Sequence, residues 1–179
     1  MNLIEFVDLK LSILTVLSQV FIVLSFAYFI FIKKDEMGIG RFMSKHGLFL
    51  AFLTVLAATL GSLFYSEVAG YDPCDLCWYQ RIFMYPLVIL FLVALFKKDK
   101  GVIKYAMALS IIGVVLAIYH HFMQIGLIEG LACSVIGYSE SCAKVFVMKL
   151  GYITLPLMAF TAFAQTLVFL YFAKLENSK

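Results

Sequence analysis

The chain has 179 residues, of which 64% are hydrophobic and only 14% are charged. Ordinary soluble domains carry roughly a quarter charged residues and about half apolar ones. This composition therefore excludes a soluble domain, a disordered chain and a nucleic-acid-binding module. A membrane-spanning helix takes about 20 residues, so the length suits one compact domain of about four to six helices. The net charge of +3 is small, and the positions of the charges are more informative.

Five apolar runs follow one another along the chain, and each is about long enough to cross a hydrocarbon core of about 30 Å as a helix. They cover residues 11–32, 47–66, 78–96, 102–123 and 150–173. The first run is too long for the apolar region of a signal peptide, and no small-residue cleavage site follows it. We therefore predict an all-α, polytopic membrane protein with five spanning helices in a single domain.

The connections between the runs differ in charge, and lysine and arginine are enriched in cytoplasmic loops. Basic residues lie between runs one and two, between runs three and four, and after run five: Lys33, Lys34, Arg41, Lys45, Lys97, Lys98, Lys100, Lys104, Lys174 and Lys179. The segment 67–77 is acidic, and the connection 124–149 is balanced, so we predict that both face outward. This alternation requires the N-terminus to lie outside the cytoplasm. The segment before the first run permits this, because it carries Glu5 and Asp8 against Lys10.

All four cysteines fall in the two outward segments. Cys74 and Cys77 form a C-x-x-C pair at the start of the third run, and Cys133 and Cys142 lie in the longer connection. Thiols outside the cytoplasm are free to form and keep disulfides. Cysteines scattered by chance would fall within the helices, so this distribution favours two disulfides or a metal site.

Two other interpretations of the cysteines compete with a redox role. They can be inert structural bridges, or they can bind zinc, which needs four tetrahedral ligands that often come from paired C-x₂-C units. Eight residues separate Cys133 from Cys142, which does not make a second unit of that kind. His120 and His121 could add ligands, yet they lie near the end of a membrane helix rather than in a short loop. We therefore predict no metal site.

The C-x-x-C pair fits redox chemistry better. If Cys77 lies near the N-terminus of the third helix, the positive end of the helix dipole stabilises its thiolate. Arg81 follows four residues later on the same helical face, and its permanent charge is brought toward the same sulfur. An arginine inside a span is costly unless it is paired or reaches the interface. Snorkelling to the interface is therefore the alternative interpretation of Arg81.

Other polar and aromatic residues of the spans indicate a function less specifically. His120 and His121 end the fourth run, and adjacent helical residues point about 100° apart. We therefore expect one histidine to face the bundle interior, as a candidate proton or hydrogen-bond donor to a carbonyl compound, and the other to be interfacial. Tyr85 fits an aromatic belt, and Gln165 fits a hydrogen bond between helices.

Residues 74–81 read CDLCWYQR, and Tyr85 and Pro86 follow. This pattern resembles the signature of the DsbB family of membrane thiol:quinone oxidoreductases, which also has a later histidine and a second pair of loop cysteines. The segment 151–156 is similar to the short-looped Gram-positive branch. The resemblance covers about residues 44–174 and implies a four-helix core. Residues 1–43 would add an extra helix and a cytoplasmic loop, and 175–179 a cytoplasmic tail.

The resemblance implies catalytic roles for all four cysteines. A reduced, thioredoxin-like dithiol oxidase of the DsbA type would attack a Cys133–Cys142 disulfide, most readily at Cys133. Cys142 would then exchange with Cys74, which leaves Cys77 as a thiolate. The Cys74–Cys77 disulfide would re-form as two electrons leave for the acceptor. This chemistry would support disulfide bond formation in exported proteins.

The same resemblance implies that the electron acceptor is a membrane quinone, either ubiquinone or menaquinone. Cys77, Arg81 and one of His120 and His121 would contact it. The protein would lie in the bacterial cytoplasmic membrane, in contact with lipid and not with nucleic acid. Its cysteine loops would be on the extracytoplasmic side.

Two alternatives to this function stay open. The vitamin K epoxide reductase family also combines a helical bundle, a C-x-x-C pair and a loop cysteine pair with a quinone. In that family the loop pair precedes the C-x-x-C pair, whereas here it follows. The other alternative is a non-catalytic membrane protein with two structural disulfides, which would bind no quinone.

Overall fold

The computed structural model describes residues 2–31, 38–128 and 142–177. Within these ranges the chain forms five long helices, which are α1 (Leu3–Phe31), α2 (Gly38–Leu63), α3 (Asp75–Lys97), α4 (Val102–Gln124) and α5 (Leu155–Asn177). A π-helical segment, Phe64–Val68, directly extends α2. Each long helix contains a stretch that is long and apolar enough to cross a membrane. The predicted class, an all-α multi-pass membrane protein with five helices, is confirmed.

Three helices start at positions that differ clearly from the apolar runs. α1 begins at Leu3 rather than at residue 11, and α2 begins at Gly38 rather than at residue 47. The apolar runs stop at charged side chains, but a helix continues past them where its backbone hydrogen bonds remain satisfied. α5 begins at Leu155 rather than at 150, because Leu150 and Gly151 have positive φ angles of 53° and 78° and form a turn. Lys33, Lys34 and Lys179, used to orient the chain, lie outside the described residues.

α5 is the central helix of the bundle, and it packs against α1, α2 and α4. Phe163 of α5 is fully buried against Gly113 of α4, where an added Cβ would lie 2.4 Å from the phenyl ring. Gly47 of α2 approaches the α5 backbone equally closely, because its Cβ would lie 2.6 Å from the Phe169 carbonyl oxygen. Small residues at such crossings let membrane helices pack tightly, which compensates for the weak hydrophobic drive between helices in lipid.

α1 packs with its polar side toward the bundle. Among the α1 side chains that the structure describes, the buried ones are all polar, and their positions follow helical spacing: Asp8, Ser12, Thr15 and Ser25. Its large apolar residues, such as Leu17 and Val23, are mostly exposed on the outside of the bundle. Gln19 donates a hydrogen bond to Thr161 of α5 (3.3 Å) and accepts one from Tyr152 (3.1 Å). The helix therefore joins the bundle through hydrogen bonds and presents its apolar side to lipid.

Asp8 links α1 to one end of the bundle. The Tyr65 hydroxyl donates a 2.9 Å hydrogen bond to the Asp8 carboxylate, and the Lys149 ammonium lies 3.9 Å from its other oxygen. The interpretation of Asp8 as part of a segment that precedes the first span is therefore wrong, because it is buried within α1. The N-terminal end of α1 lies at the same end of the bundle as the segment 142–154. We call this the cysteine end.

Candidate active site

The C-x-x-C pair lies where α3 begins. Cys74 is the N-cap residue, with extended φ and ψ angles of −72° and 171°, and its carbonyl accepts the Trp78 backbone N–H at 3.0 Å. Cys77 lies in the first helical turn, as the sequence predicts, so its sulfur is close to the positive end of the helix dipole. The two sulfur atoms are 3.1 Å apart, with the Cys74 thiol donating to the Cys77 sulfur. The structure thus holds the pair as interacting thiols.

The proton of this pair resides on Cys74. The hydrogen bond that its thiol donates to Cys77, together with burial, raises the pKa of Cys74 to about 12. A thiol that is held protonated is a poor nucleophile, since the thiolate is the reactive form. Cys77 accepts this hydrogen bond and is only partly buried. The pair is therefore polarised, with Cys77 as the sulfur equipped to carry negative charge.

His120 connects Cys74 to the segment that follows α4. Its Nε2 atom lies 3.0 Å from the Cys142 carbonyl oxygen and 3.7 Å from the Cys74 sulfur. A carbonyl oxygen only accepts hydrogen bonds, so Nε2 carries the ring proton. The Nδ1 atom then accepts from the Gln80 amide nitrogen at 2.9 Å. Gln80 thus fixes the tautomer in which His120 is a hydrogen-bond donor toward Cys74.

His121 has a separate environment. Its Nδ1 atom lies 2.9 Å from the Thr154 hydroxyl, just before α5 begins. The expectation that one of the two histidines is interfacial is wrong, because both are buried. α4 is covered on both sides at this level, by Gln80 of α3 and by Thr154, so both imidazoles find partners inside the protein. Neither histidine lines the cavity described below.

Cys142 is buried in a small cluster with Cys74, Leu76 and Met123. Three of the four predicted catalytic cysteines therefore lie together at the cysteine end. Cys133, the fourth, lies outside the described residues. The predicted exchange between Cys142 and Cys74 joins two residues that share this cluster and also share contacts with His120.

Arg81 is held by a residue that the sequence did not indicate. Its Nε and Nη2 atoms donate to the hydroxyl and the carbonyl of Ser62, both at 3.1 Å, and the Tyr85 hydroxyl donates to the Ser62 hydroxyl at 3.1 Å. The guanidinium carbon lies 5.2 Å from the centre of the Trp78 ring. Hydrogen bonds to Ser62 and the contact with Trp78 hold this side chain within the bundle, which offsets part of the cost of a charge in a span. Snorkelling is not needed to explain its position.

A cavity of about 410 Å³ lies between α1, α2, α3 and α5. Cys77 and Arg81 line it together, beside Gln80 and Tyr85, and most of its remaining wall is apolar. Gln165, for which the sequence indicates a hydrogen bond to another helix, also lines the cavity. Small-molecule sites are typically cavities of about 300–1,000 Å³ with apolar walls and a few polar groups. The cavity thus has the size and lining of a ligand site, with Cys77 at its wall.

The Arg81 guanidinium at this wall has hydrogen-bond donors that suit the carbonyl oxygens of a quinone. A quinone ring has carbonyl oxygens that accept hydrogen bonds, and its tail is apolar. Arginine carries five N–H donors, and Ser62 accepts from two of the Arg81 nitrogens. Arg81 can therefore donate to a ligand carbonyl without leaving Ser62, in a cavity that also exposes Cys77.

Cys74, Cys77 and His120 also have the chemistry of metal ligands. Their ligand atoms all lie within 4.8 Å of one another. His120, which the sequence places near the end of a membrane helix rather than in a short loop, thus lies beside the C-x-x-C pair. However, the Nε2 atom that faces Cys74 already contacts the Cys142 carbonyl, and a metal ion on Nε2 would displace that contact. The observed contacts favour a hydrogen-bonding role for His120.

Comparison with known proteins identifies the family. The family model for the disulfide bond formation protein DsbB matches residues 44–173. The chain belongs to the DsbB family. It is therefore a disulfide-forming oxidoreductase of the membrane, and the resemblance drawn from residues 74–81 is confirmed.

Relatives from Gram-positive and other bacteria support the same family assignment. The SPbeta prophage-derived disulfide bond formation protein B of Bacillus subtilis (strain 168) is 45% identical over 124 residues, which is 69% of this chain and 82% of the relative. Disulfide bond formation protein C of the same strain is 38% identical over 133 residues, 74% of this chain and 95% of the relative. A probable disulfide formation protein of Coxiella burnetii (strain Dugway 5J108-111) is 39% identical over 140 residues, which is 76% of this chain and 90% of the relative. No solved structure matches the chain significantly.

Proposed function

We propose that this DsbB-family chain is a thiol:quinone oxidoreductase that reoxidises a thioredoxin-like, DsbA-type dithiol oxidase outside the cytoplasm. The observation that carries the proposal is the cavity that Cys77 and Arg81 line together. A redox-active sulfur and a fixed positive charge at one apolar cavity are what a membrane-soluble carbonyl acceptor requires. The three described cysteines, gathered at one end of the bundle, supply the thiol side of the reaction.

The thiol half of the reaction proceeds by disulfide exchange. A thiolate of the reduced partner attacks Cys133 of a Cys133–Cys142 disulfide, and Cys142 leaves as a thiolate. The second partner thiol displaces Cys133, so the partner departs oxidised. Cys142 then attacks Cys74 of the Cys74–Cys77 disulfide, a Cys74–Cys142 bond forms, and Cys77 becomes the thiolate. The packing of Cys142 beside Cys74 supports this order of attack.

His120 is suited to position this exchange. Its Nε2–H group faces both the Cys74 sulfur and the Cys142 carbonyl, so one imidazole holds the two exchanging residues in register. The Gln80 hydrogen bond keeps the proton on Nε2 and keeps the ring from acting as a base through Nδ1. We assign His120 to the positioning of Cys74 rather than to contact with the quinone, because it does not line the cavity.

Arg81 and Cys77 form the acceptor side. A quinone, when bound, supplies an acceptor for two electrons. Arg81, fixed by Ser62, places its positive charge and its remaining N–H donors at the cavity wall beside Cys77. Cys133 would first attack Cys142 of the Cys74–Cys142 disulfide, which re-forms the Cys133–Cys142 bond and releases Cys74 in reduced form beside the Cys77 thiolate. Loss of two electrons from this reduced pair to the acceptor would then join Cys74 and Cys77 as a disulfide, so both disulfides are restored for the next cycle.

Quinone consumption by the purified protein tests the proposal. With a reduced thioredoxin-like partner and a soluble quinone, ultraviolet absorbance should show loss of quinone, and C77S should abolish it. A small dithiol that attacks Cys74–Cys77 directly should restore quinone loss in C142S but not in C77S. Equal rates in wild type and C77S, or no quinone loss at all, would favour a protein with purely structural disulfides.

A further inference from the structure

The first helix contributes to the cavity although the family match does not include it. The match begins at residue 44, and α1 ends at Phe31. α1 nevertheless lines the same cavity as Cys77 and Arg81. The matched segment covers 95% of one relative but only 74% of this chain, so about a quarter of this chain has no counterpart there. The wall that α1 forms is therefore an addition to the shared core.

The cavity residues of α1 and α2 form two facing rows. They recur at helical spacing, and they include Leu11, Leu14, Thr15 and Ser18 on α1 and Leu53 and Ala57 on α2. At the cysteine end the two helices touch, because a Cβ on Gly61 would lie 3.5 Å from the Leu11 side chain. From Leu11 to Ser18 the row extends about 10 Å along the axis, away from that end. The rows therefore form a groove directed toward the middle of the helices.

This groove is closed at the cysteine end and open along its side. Tyr65 and Tyr71 stack with ring centres 5.9 Å apart, and Tyr71 stacks on Phe146 at 4.9 Å, so three of the lining residues form an aromatic wall. Asp8 of α1 fixes this wall through the Tyr65 hydroxyl. In contrast, Leu14 and Leu53 line the cavity yet are 50% and 43% exposed, so the gap between α1 and α2 opens to lipid.

We propose that the gap between α1 and α2 holds the isoprenoid tail of the quinone, and that α1 thereby selects long-tailed quinones in this chain. The inference rests on the proposed function, because it assumes that the ring lies by Cys77 and Arg81. The groove is continuous with that position, is lined mainly by apolar side chains and leads into the bilayer. An isoprenoid tail attached to a ring at Cys77 has this route to lipid, because the aromatic wall closes the cysteine end.

Binding measurements can use the native fluorophore. Trp78 is the only tryptophan, and it stacks near Arg81, so a quinone in the cavity should quench it. We would titrate the detergent-solubilised protein with a tail-less quinone and with a quinone that carries a long isoprenoid tail. The variants S18F and A57F narrow the groove, whereas L17F and L60F place the same ring on exposed positions outside it.

The ratio of the two dissociation constants decides the outcome. In S18F and A57F the Kd for the long-tailed quinone should rise about tenfold relative to the Kd for the tail-less quinone, since burial of tail methylenes is lost. L17F and L60F should keep the wild-type ratio. An unchanged ratio in S18F and A57F would overturn the tail site. No binding of either quinone to wild type would instead refute the proposed function.

Photochemical labelling of the wild-type protein tests the same proposal without any variant. A quinone with a diazirine group in its tail should, after illumination, label peptides from residues 11–18 and 53–61. Excess long-tailed quinone should prevent this labelling. Labels confined to α3, α4 or α5 would place the tail elsewhere and overturn the assignment of α1, while leaving the ring site at Cys77 intact.

Discussion

The cysteine end and the α1–α2 groove are built by different kinds of contact. At the cysteine end, Cys74, His120 and Gln80 are buried and joined by hydrogen bonds between about 3 and 4 Å long. The groove is lined mainly by apolar residues and opens to lipid at Leu14 and Leu53. Hydrogen bonds require defined atoms at defined positions, whereas apolar walls tolerate changes that conserve volume. Conservative changes should therefore impair the cysteine end more than the groove.

The reactivity of Cys74 gives the largest expected contrast. With a pKa of about 12, its thiolate fraction at pH 7 is about a thousandfold below that of an ordinary thiol. Because the pKa is raised, the rate at which Cys74 is alkylated in the reduced protein should increase tenfold per pH unit from pH 7 to pH 10. Mass spectrometry of the alkylated peptides measures this rate. A rate that levels off below pH 10 would contradict the location of the shared proton on Cys74.

Loss of the His120 imidazole should have the next largest effect. H120A removes the group that positions both Cys74 and Cys142, so partner-driven turnover should fall about a hundredfold. Q80L keeps the imidazole but frees Nδ1, and it should reduce turnover less. If His120 instead contacts the quinone, the main effect of H120A would be a weaker quinone affinity, which Trp78 fluorescence would reveal.

The Arg81 contacts link the two regions, so changes there should alter quinone binding. R81A should raise the apparent KM for quinone about tenfold, because a charge-assisted hydrogen bond contributes roughly 1.5 kcal/mol or more. R81K should resemble R81A, since a lysine ammonium does not reproduce the planar fork held by Ser62. An R81A protein with reduced expression but unchanged KM would support the snorkelling interpretation instead.

The smallest effect should come from the junction between α1 and the aromatic wall. D8N keeps the shape of the side chain but weakens its hydrogen bond with Tyr65. The free energy of unfolding in detergent should therefore fall by about 1 kcal/mol. Y65F should cost a similar amount, and the double variant should cost little more than either single one. E5Q, an exposed change on the same helix, serves as the control. Additive losses in the double variant would show that the two residues act independently.

The sequence predicted the parts of the site that lie close together along the chain. Cys74, Cys77 and Arg81 fall within eight residues, so helical periodicity alone places them at one helix start and on one face. Ser62 was not predicted, because its role depends on α2 packing against α3, and no local pattern signals a serine carbonyl as a partner. The burial of both His120 and His121 was missed for the same reason, since their partners come from distant segments.

The orientation of α1 was predictable in part. Its buried positions Asp8, Ser12, Thr15 and Ser25 follow helical spacing, so a polar stripe could have been recognised from the sequence. The expectation that the helix starts at residue 11 hid the first of these positions. Its contact with α5 and its place on the cavity wall could not be read from the pattern, because a polar stripe does not specify which helix it will meet.

The docking of α1 on α5 also has a consequence for how the protein assembles during synthesis. α1 ends at Phe31 and α5 begins at Leu155, so α1 is synthesised more than a hundred residues before α5, its main partner. Until residue 149 has been synthesised, Asp8 lacks the Lys149 ammonium that lies near it in the folded protein. A buried carboxylate without partners is costly in a membrane. α1 should therefore dock only after α5 has been synthesised, and the cavity should close at that point.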